Sequence, residues 1–565
     1  MKKSGLILGI IFLIFAISLP AWAEKASFLG DPIEILPLKY VRPGMVFYSL
    51  SDCGEGKGVQ KFYVEVVTIN YEAQVNGFII WFKPRGKKNI LNRVGVVSGM
   101  SGSPMYLESK DGDKLVGALA YGFNFQPPIP PLGVKGGIKP IEEMLELQEL
   151  ITAYYGQFPE TINQLSPNPR VIKAGEAIAG VILAGEMPVA ATGTVTLSTP
   201  KGFLAFGHPF MQTGYSNIPV YKVEIGTIMS TILGSFKWRK EIIEPQVGTI
   251  IVDSFSGILG VWHDKNTMVP VNINFEKLHL NRYKTEREWK IDLAPGTPLS
   301  KVALEYVLQN SIILSSPDLN KILFNVQVDL FYQEQGATKK LSVFKRFFCK
   351  NRSEIPSNIT SISDIYYLLE KSKRYVAKID AKISASHEKE NIIVIGLEKK
   401  GIEIKNTAEP GEEIKLGITL GDKDENYKKV IKLKGSDFEG KLEIKIQDKK
   451  TRLASLVKEA LENPEKIKEV LEFIESSGDK NDVIYIETTY TKSLIQNQKY
   501  DNSDWTITSK KAEKQINTEV IEIKLPDIKD EFELSVSAQR TVTVEKKKEE
   551  KQNSEEDKTK KEDKK

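Results

Sequence analysis

Two short segments of the chain carry the residue types that nucleophilic catalysis requires. In Gly99-Met100-Ser101-Gly102-Ser103-Pro104 a serine sits between glycines, with apolar runs at residues 94–97 before it and 115–121 after it. Glycine lets the backbone turn tightly around an exposed hydroxyl and aim its own N–H groups at whatever that hydroxyl attacks. The same residue types also suit an ordinary turn between two strands. A serine hydroxyl needs a base to become nucleophilic at neutral pH, most often histidine. The chain holds four: His208, His263, His279 and His387. His279 and His387 lie in ordinary strand-like contexts. His208 lies in Ala205-Phe206-Gly207-His208-Pro209-Phe210, at the end of a strand-like run with Gly before it and Pro after. A residue at such a junction can face a cleft, and it can equally be a turn histidine packed locally.

Taken together the two segments resemble a known family. Gly95-Val-Val-Ser-Gly-Met-Ser-Gly-Ser-Pro-Met-Tyr106 and Leu115-Val-Gly-Ala-Leu-Ala-Tyr-Gly-Phe123 are similar to the nucleophile region of the SpoIVB-type serine peptidases. Ala191-Thr-Gly-Thr-Val-Thr196 followed by Phe203-Leu-Ala-Phe-Gly-His-Pro209 is similar to that family's histidine segment, and residues 248–260 to a further stretch of the domain. The likeness covers roughly residues 38–280. It implies a chymotrypsin-like double β-barrel, with Ser101 as nucleophile, His208 as general base and acid, and an oxyanion hole from the backbone N–H groups around Gly99 and Ser101. Ser103 is the rival nucleophile, and alignment with the Gly-x-Ser-Gly pattern favours Ser101. An α/β-hydrolase elbow would need glycine at position 103, where this chain has serine.

The chain departs from the family pattern twice. Here Ser101 precedes His208, whereas the sporulation protease has the histidine segment first, so the two halves are exchanged; a triad is set by spatial roles and not by chain order. The family's acid lies shortly before the serine, and the corresponding stretch here, residues 82–90, contains no carboxylate. Asp253, Glu224 and Asp264 are the candidates for orienting His208, and each also reads as a surface or salt-bridged carboxylate.

The elements that must position these residues are mainly strands. Residues 38–155 read as short strands and turns, with a proline-rich loop at 126–132 and a helix starting at Pro140. Proline suits the first turn of a helix, where its missing N–H costs nothing. Residues 168–280 form a second strand-rich unit carrying His208. Residues 285–374 mix strands with helical segments near 299–308 and 362–369. A third body, 376–544, opens and closes with strands around a helical interlude, where apolar residues keep the 3.6-residue period on either side of Pro464. Its alternation and the Glu409-Pro410-Gly411 turn fit a β-sandwich-like domain. The predicted class is therefore mainly β: two strand-rich units, which the resemblance implies are the double barrel, then an α+β region, then a β-rich C-terminal domain.

Bulk properties set the limits. With 565 residues and about 150 per domain, three or four domains are expected. A net charge of +4 on a chain of this size gives no reason to expect a polyanionic partner, and no nucleic-acid signature accompanies it. Residues 1–23 combine Lys2 and Lys3, an apolar run and Ala21-Trp22-Ala23, the pattern of a secretory signal cut after Ala23. The mature protein is expected to be exported, periplasmic or extracellular, with no later membrane span; an uncleaved N-terminal anchor is the alternative. Residues 545–565 are almost wholly polar and charged and read as a disordered tail. Cys53 and Cys349 fall in what look like different domains and are expected to be two thiols with no shared role; the chain has no zinc-type ligand spacing, and no cofactor or metal is expected.

Two functional expectations follow. The first is an exported serine endopeptidase that cleaves itself or a partner protein. The second is a catalytically degenerate peptidase-fold protein that binds or scaffolds envelope proteins, with the C-terminal half supplying contacts.

Overall fold

The computed structural model describes residues 24–122, 136–155, 171–231, 234–279, 283–296, 298–316, 322–349, 351–387, 393–421, 426–433, 440–478, 483–494, 512–524 and 532–544. Residues 1–23, expected to be a secretory signal, the proline-rich stretch 126–132 and the charged residues 545–565 lie outside them. Among the described residues, no helix is long and apolar enough to cross a membrane.

The protein is mainly β. The first sheet is built from β1 (Glu24–Phe28), β2 (Asp31–Ile35), β3 (Val46–Asp52), β4 (Val59–Glu72), β5 (Gly77–Arg85), β6 (Pro104–Leu107), β7 (Lys114–Gly122) and β8 (Gly136–Pro140). Strands β7, β6, β3, β4, β5 and β8 pair in that order, and β8 returns to β7, closing a six-stranded antiparallel barrel. Closure removes the unpaired edges that an open sheet would present. Inward positions follow the two-residue period: Phe62, Val64 and Val66 on β4 meet Ile80 and Phe82 on β5, with Met100, Met105 and Val116 in the same core.

The second sheet contains β9 (Ala177–Gly185), β10 (Val189–Ser198), β11 (Gly202–Ala205), β12 (Gly214–Thr231), β13 (Gly234–Ser254) and β14 (Gly257–Trp262). The order β10-β11-β14-β13-β12-β9, with β9 pairing back to β10, makes a second ring of six antiparallel strands. The sheet continues from β9 into β16 (Lys284–Leu293), β15 (Val269–Leu278), β19 (Val376–His387), β17 (Ile322–Glu334) and β18 (Ala337–Cys349). The sequence division places 376–387 at the head of the third body. The structure instead threads this strand between β15 and β17, parallel to the first and antiparallel to the second. Apolar alternation tells which face of a strand is buried and carries no information about its partner.

Helices Pro298–Ser315 and Ile355–Lys371 cover this extension, and Lys449–Glu462 and Ile467–Ser477 share its core through Leu453, Val457, Val470 and Ile474. Asp448 starts the third of these by accepting the Thr451 N–H. The remaining C-terminal strands form a four-stranded and a five-stranded sheet. Ile414, Leu416 and Ile418 from one and Leu442, Ile444 and Ile446 from the other enter a single core, a two-layer arrangement. Cys53 and Cys349 are both buried, and neither is in a disulfide.

Candidate functional site

Ser101 lies in the turn that enters β6, and the fixed points of that turn are its carbonyls. The Ser98 carbonyl accepts the Lys237 N–H at 2.9 Å, and the Gly99 carbonyl accepts the Thr194 hydroxyl at 2.8 Å. The Met100 carbonyl accepts both the Ser103 N–H and the Ser103 hydroxyl, at 2.9 and 2.6 Å. The Ser101 carbonyl accepts the Thr194 N–H at 2.8 Å, and the Gly102 carbonyl the Thr196 hydroxyl at 2.7 Å. A trans peptide points its N–H opposite to its C=O. With the Ser98 and Met100 carbonyls anchored, the N–H groups of Gly99 and Ser101 turn the other way. Among the described residues neither donates a hydrogen bond, whereas Met100, Gly102 and Ser103 donate to Val97, Leu119 and Met100 carbonyls. The turn therefore offers two free N–H groups flanking one serine.

The conformation needs glycine at 99 and 102, whose φ values are +94° and +95°. A Cβ on Gly102 would stand 1.9 Å from the Thr194 carbonyl oxygen and 2.5 Å from Phe206 N. Ser101 is half-buried and its hydroxyl makes no hydrogen bond among the described residues. Ser103, by contrast, is fully buried, and its hydroxyl is spent on Met100 O and Ser51 Oγ.

His208 arrives from the second ring. Strand β10 splints the two segments: Thr194 holds Ser101 and Gly99 on one side, and its carbonyl accepts the Phe206 N–H at 3.4 Å on the other. Phe206 and Gly207 both adopt left-handed backbone, with φ of 70° and 67°. Gly207 packs against Ala118 and Ala120 of the first barrel, where a Cβ would meet theirs at 3.0 and 3.2 Å. This kink ends β11 and sets the half-buried imidazole at the junction between barrels. His208 Nδ1 lies 2.7 Å from the Pro209 carbonyl oxygen. A carbonyl only accepts, so Nδ1 carries the proton and Nε2 presents a lone pair. Burial pushes the imidazole below the ordinary histidine range, against the opposing pull of the Pro209 carbonyl and the Asp253 charge. The ring is thus held in the neutral form that a general base requires. Among the described residues, no hydrogen bond joins Ser101 to His208.

Asp253, on β13, is fully buried and close enough to His208 to act on its charge. Its carboxylate makes no hydrogen bond with the imidazole among the described residues. Oδ1 accepts Phe210 N at 2.7 Å; Oδ2 accepts Met211 N at 2.8 Å, Thr213 N at 3.0 Å and the Thr213 hydroxyl at 3.1 Å. It clasps the loop that follows His208. The other two carboxylates lie apart from this arrangement: Glu224 pairs with Lys240 at 2.8 Å on the surface, and Asp264 is exposed beside His263. His263 itself is buried against the Thr249 hydroxyl at 2.8 Å. No cluster of three or more His, Cys, Asp or Glu suited to a metal occurs among the described residues.

Thr194, Thr196 and Lys237 belong to this site and had no signal of their own in the sequence; the two threonines fall in the histidine-side segment but read there only as strand residues. No family model, curated protein or solved structure matches the chain.

Proposed function

We propose that the protein is an exported serine endopeptidase of the SpoIVB type, built on a chymotrypsin-like pair of barrels whose halves are exchanged in chain order. Ser101 is the nucleophile and His208 the base. The observation that carries this reading is the turn 98–102, where every carbonyl is tied down and the two N–H groups of Gly99 and Ser101 stay free beside a free hydroxyl. Such donors stabilise charge as it develops on a carbonyl oxygen, and removing one in a known protease costs about 10²–10³ in turnover.

In the reaction, Ser101 Oγ attacks the scissile carbonyl carbon while its proton passes to His208 Nε2. The carbonyl oxygen takes the negative charge between the Gly99 and Ser101 N–H groups. The C–N bond then breaks, Nε2–H protonates the leaving amine, and an acyl-Ser101 ester remains. Water, deprotonated by the same nitrogen, releases the acid and restores the hydroxyl. The Pro209 carbonyl takes the place usually held by a carboxylate, fixing the tautomer without neutralising an imidazolium. That substitution predicts a slow enzyme, suited to cleaving itself or one partner protein.

A fluorophosphonate probe tests the assignment. Wild type and Ser103→Ala should label, and Ser101→Ala should not. A second reading, a degenerate peptidase fold that binds or scaffolds envelope proteins, draws support from Asp253 being spent on loop amides. Equal labelling of wild type and Ser101→Ala would transfer the case to it.

A further inference from the structure

We propose that Lys237 is a positioning residue that holds the Ser101 turn in its open-donor form, acting from the β12–β13 hairpin of the second ring across to the first barrel. The inference rests on the peptidase reading for its catalytic consequence and on geometry alone for its structural one.

The hairpin runs past its own ring. Around its tip, the Ser98 N–H donates to Ser235 O and Lys237 N–H donates to Ser98 O, both at 2.9 Å, so the serine turn is stitched to β13. Alternation then divides the strand: Phe236 and Trp238 point to solvent, and Lys237 points under the turn. Its side chain is 5% exposed. The methylenes fill the space beneath Gly99, where a Cβ would meet Lys237 Cβ, Cγ and Cδ at 3.2 to 3.3 Å. The ammonium ends 3.1 Å from Thr194 Oγ1, and that hydroxyl donates in turn to Gly99 O at 2.8 Å. With both lone-pair and proton roles of Thr194 Oγ1 assigned, its proton can go only to Gly99.

Lys237 therefore acts on both peptides around Gly99. Its N–H holds the Ser98 carbonyl, which fixes the direction of the Gly99 N–H. Its ammonium holds Thr194, which fixes the Gly99 carbonyl. Without the ammonium the Gly99 carbonyl loses its fixed partner. The 99–100 peptide is then held only through Met100 N–H on the Val97 carbonyl, and the two donor-bearing peptides on either side of it lose their rigid link. The groups facing the ammonium are Cys53 and Asp52 at the end of β3, and the uncharged Thr194 on β10. No carboxylate is hydrogen-bonded to it among the described residues. Burial lowers its pKa to about 8. A buried lysine without an ion-pair partner weakens a fold, so replacing Lys237 by methionine removes that cost together with the hydrogen bond to Thr194.

The opposite signs of these two effects give the test. Lys237→Met, Thr194→Val, Thr194→Ser and Ser101→Ala are each made in the full chain; the readouts are the fluorophosphonate labelling rate, the melting temperature and amide hydrogen exchange. Lys237→Met should label at least tenfold more slowly while melting no lower than wild type. Thr194→Val should be slowed similarly and Thr194→Ser restored. The Lys237→Met, Thr194→Val double variant should be no slower than the slower single, because one chain of hydrogen bonds is cut in either place. Labelling of Lys237→Met at the wild-type rate overturns the proposal, as does a slowing matched by a lower melting temperature with no rescue by Thr194→Ser. Should wild type fail to label at all, the peptidase reading falls and exchange decides the positioning claim. Faster exchange of the Met100, Gly102 and Ser103 amides in Lys237→Met sustains it; unchanged exchange overturns it.

Discussion

At the scale of single residues, the peptidase reading makes the state of His208 the control on how the site responds to pH. Its Nδ1 proton is committed to the Pro209 carbonyl, and burial keeps the ring neutral at lower pH than an ordinary histidine. Protonation removes the Nε2 lone pair, so labelling of Ser101 is lost as pH falls through the folded-state value and is complete above it. The labelling rate should rise with pH through a midpoint below about 6.5, the unperturbed value, and then stay level through neutrality. A midpoint at or above about 7 would point to a carboxylate on the ring, since burial outweighs the upward pull of the Pro209 carbonyl and of Asp253 as they stand. The glycine turn around Ser101 and the strand-end position of His208 could be read from sequence because glycine at left-handed positions and a histidine between Gly and Pro leave local signatures. Lys237 could not: a lysine in an alternating strand is by default solvated, and its burial comes from a pairing with Ser98, far away in the chain.

At the scale of elements, the loop 209–213 is what holds His208 in place, and Asp253 is what holds the loop. Replacing Asp253 by alanine strands three N–H groups and a hydroxyl that now donate to one buried carboxylate. Hydrogen bonds to a charged group are worth about 1.5–3 kcal/mol each and are not additive, so a loss of about 3 kcal/mol is expected. Asp253→Ala should therefore melt lower and label more slowly together, and Asp253→Asn should lie between. A large loss of labelling at unchanged melting temperature would instead place the carboxylate directly on the imidazole, the role for which the sequence makes it a candidate. The hairpin that brings Asp253 and Lys237 was only partly legible. The sequence shows only a strand-rich unit over 168–280, whereas β12 and β13 form one long antiparallel pair with register shifts after Tyr215, Val220, Glu224 and Ile225. Each shift reverses which face a residue takes, so alternation breaks up along a continuous strand.

At the scale of the whole molecule, the site depends on two rings meeting and on whatever keeps the second ring in shape. The first barrel supplies the hydroxyl and the second the imidazole, the lysine and the β10 splint, so neither ring holds a complete constellation. The second ring in turn opens through β9 into β16 and β15, and β15 is bonded to β19, the strand whose residues begin at Val376. A boundary before Val376 therefore cuts through a sheet. Ending the chain at Tyr375 would bare the facing edges of β15 and β17 along their length and expose Ile359, Ile362 and Leu369 where they share a core with Leu453, Val457 and Ile474. Exposed edges template intermolecular pairing, and a core of this kind loses stability in proportion to the apolar area returned to water. Such a chain should be recovered largely as aggregate, with no cooperative melting transition and no labelling of Ser101. If it proved soluble, melted at the temperature of the full-length protein and labelled at the same rate, the C-terminal body would be a separate module and not a brace of the two rings. The four-stranded and five-stranded sheets that begin at Ile393 carry their own core. The same experiment with the chain ended at His387, the last residue of β19, therefore separates the two contributions. Recovery of a melting transition there assigns the bracing to β19, and its continued absence assigns it to the helices Lys449–Glu462 and Ile467–Ser477.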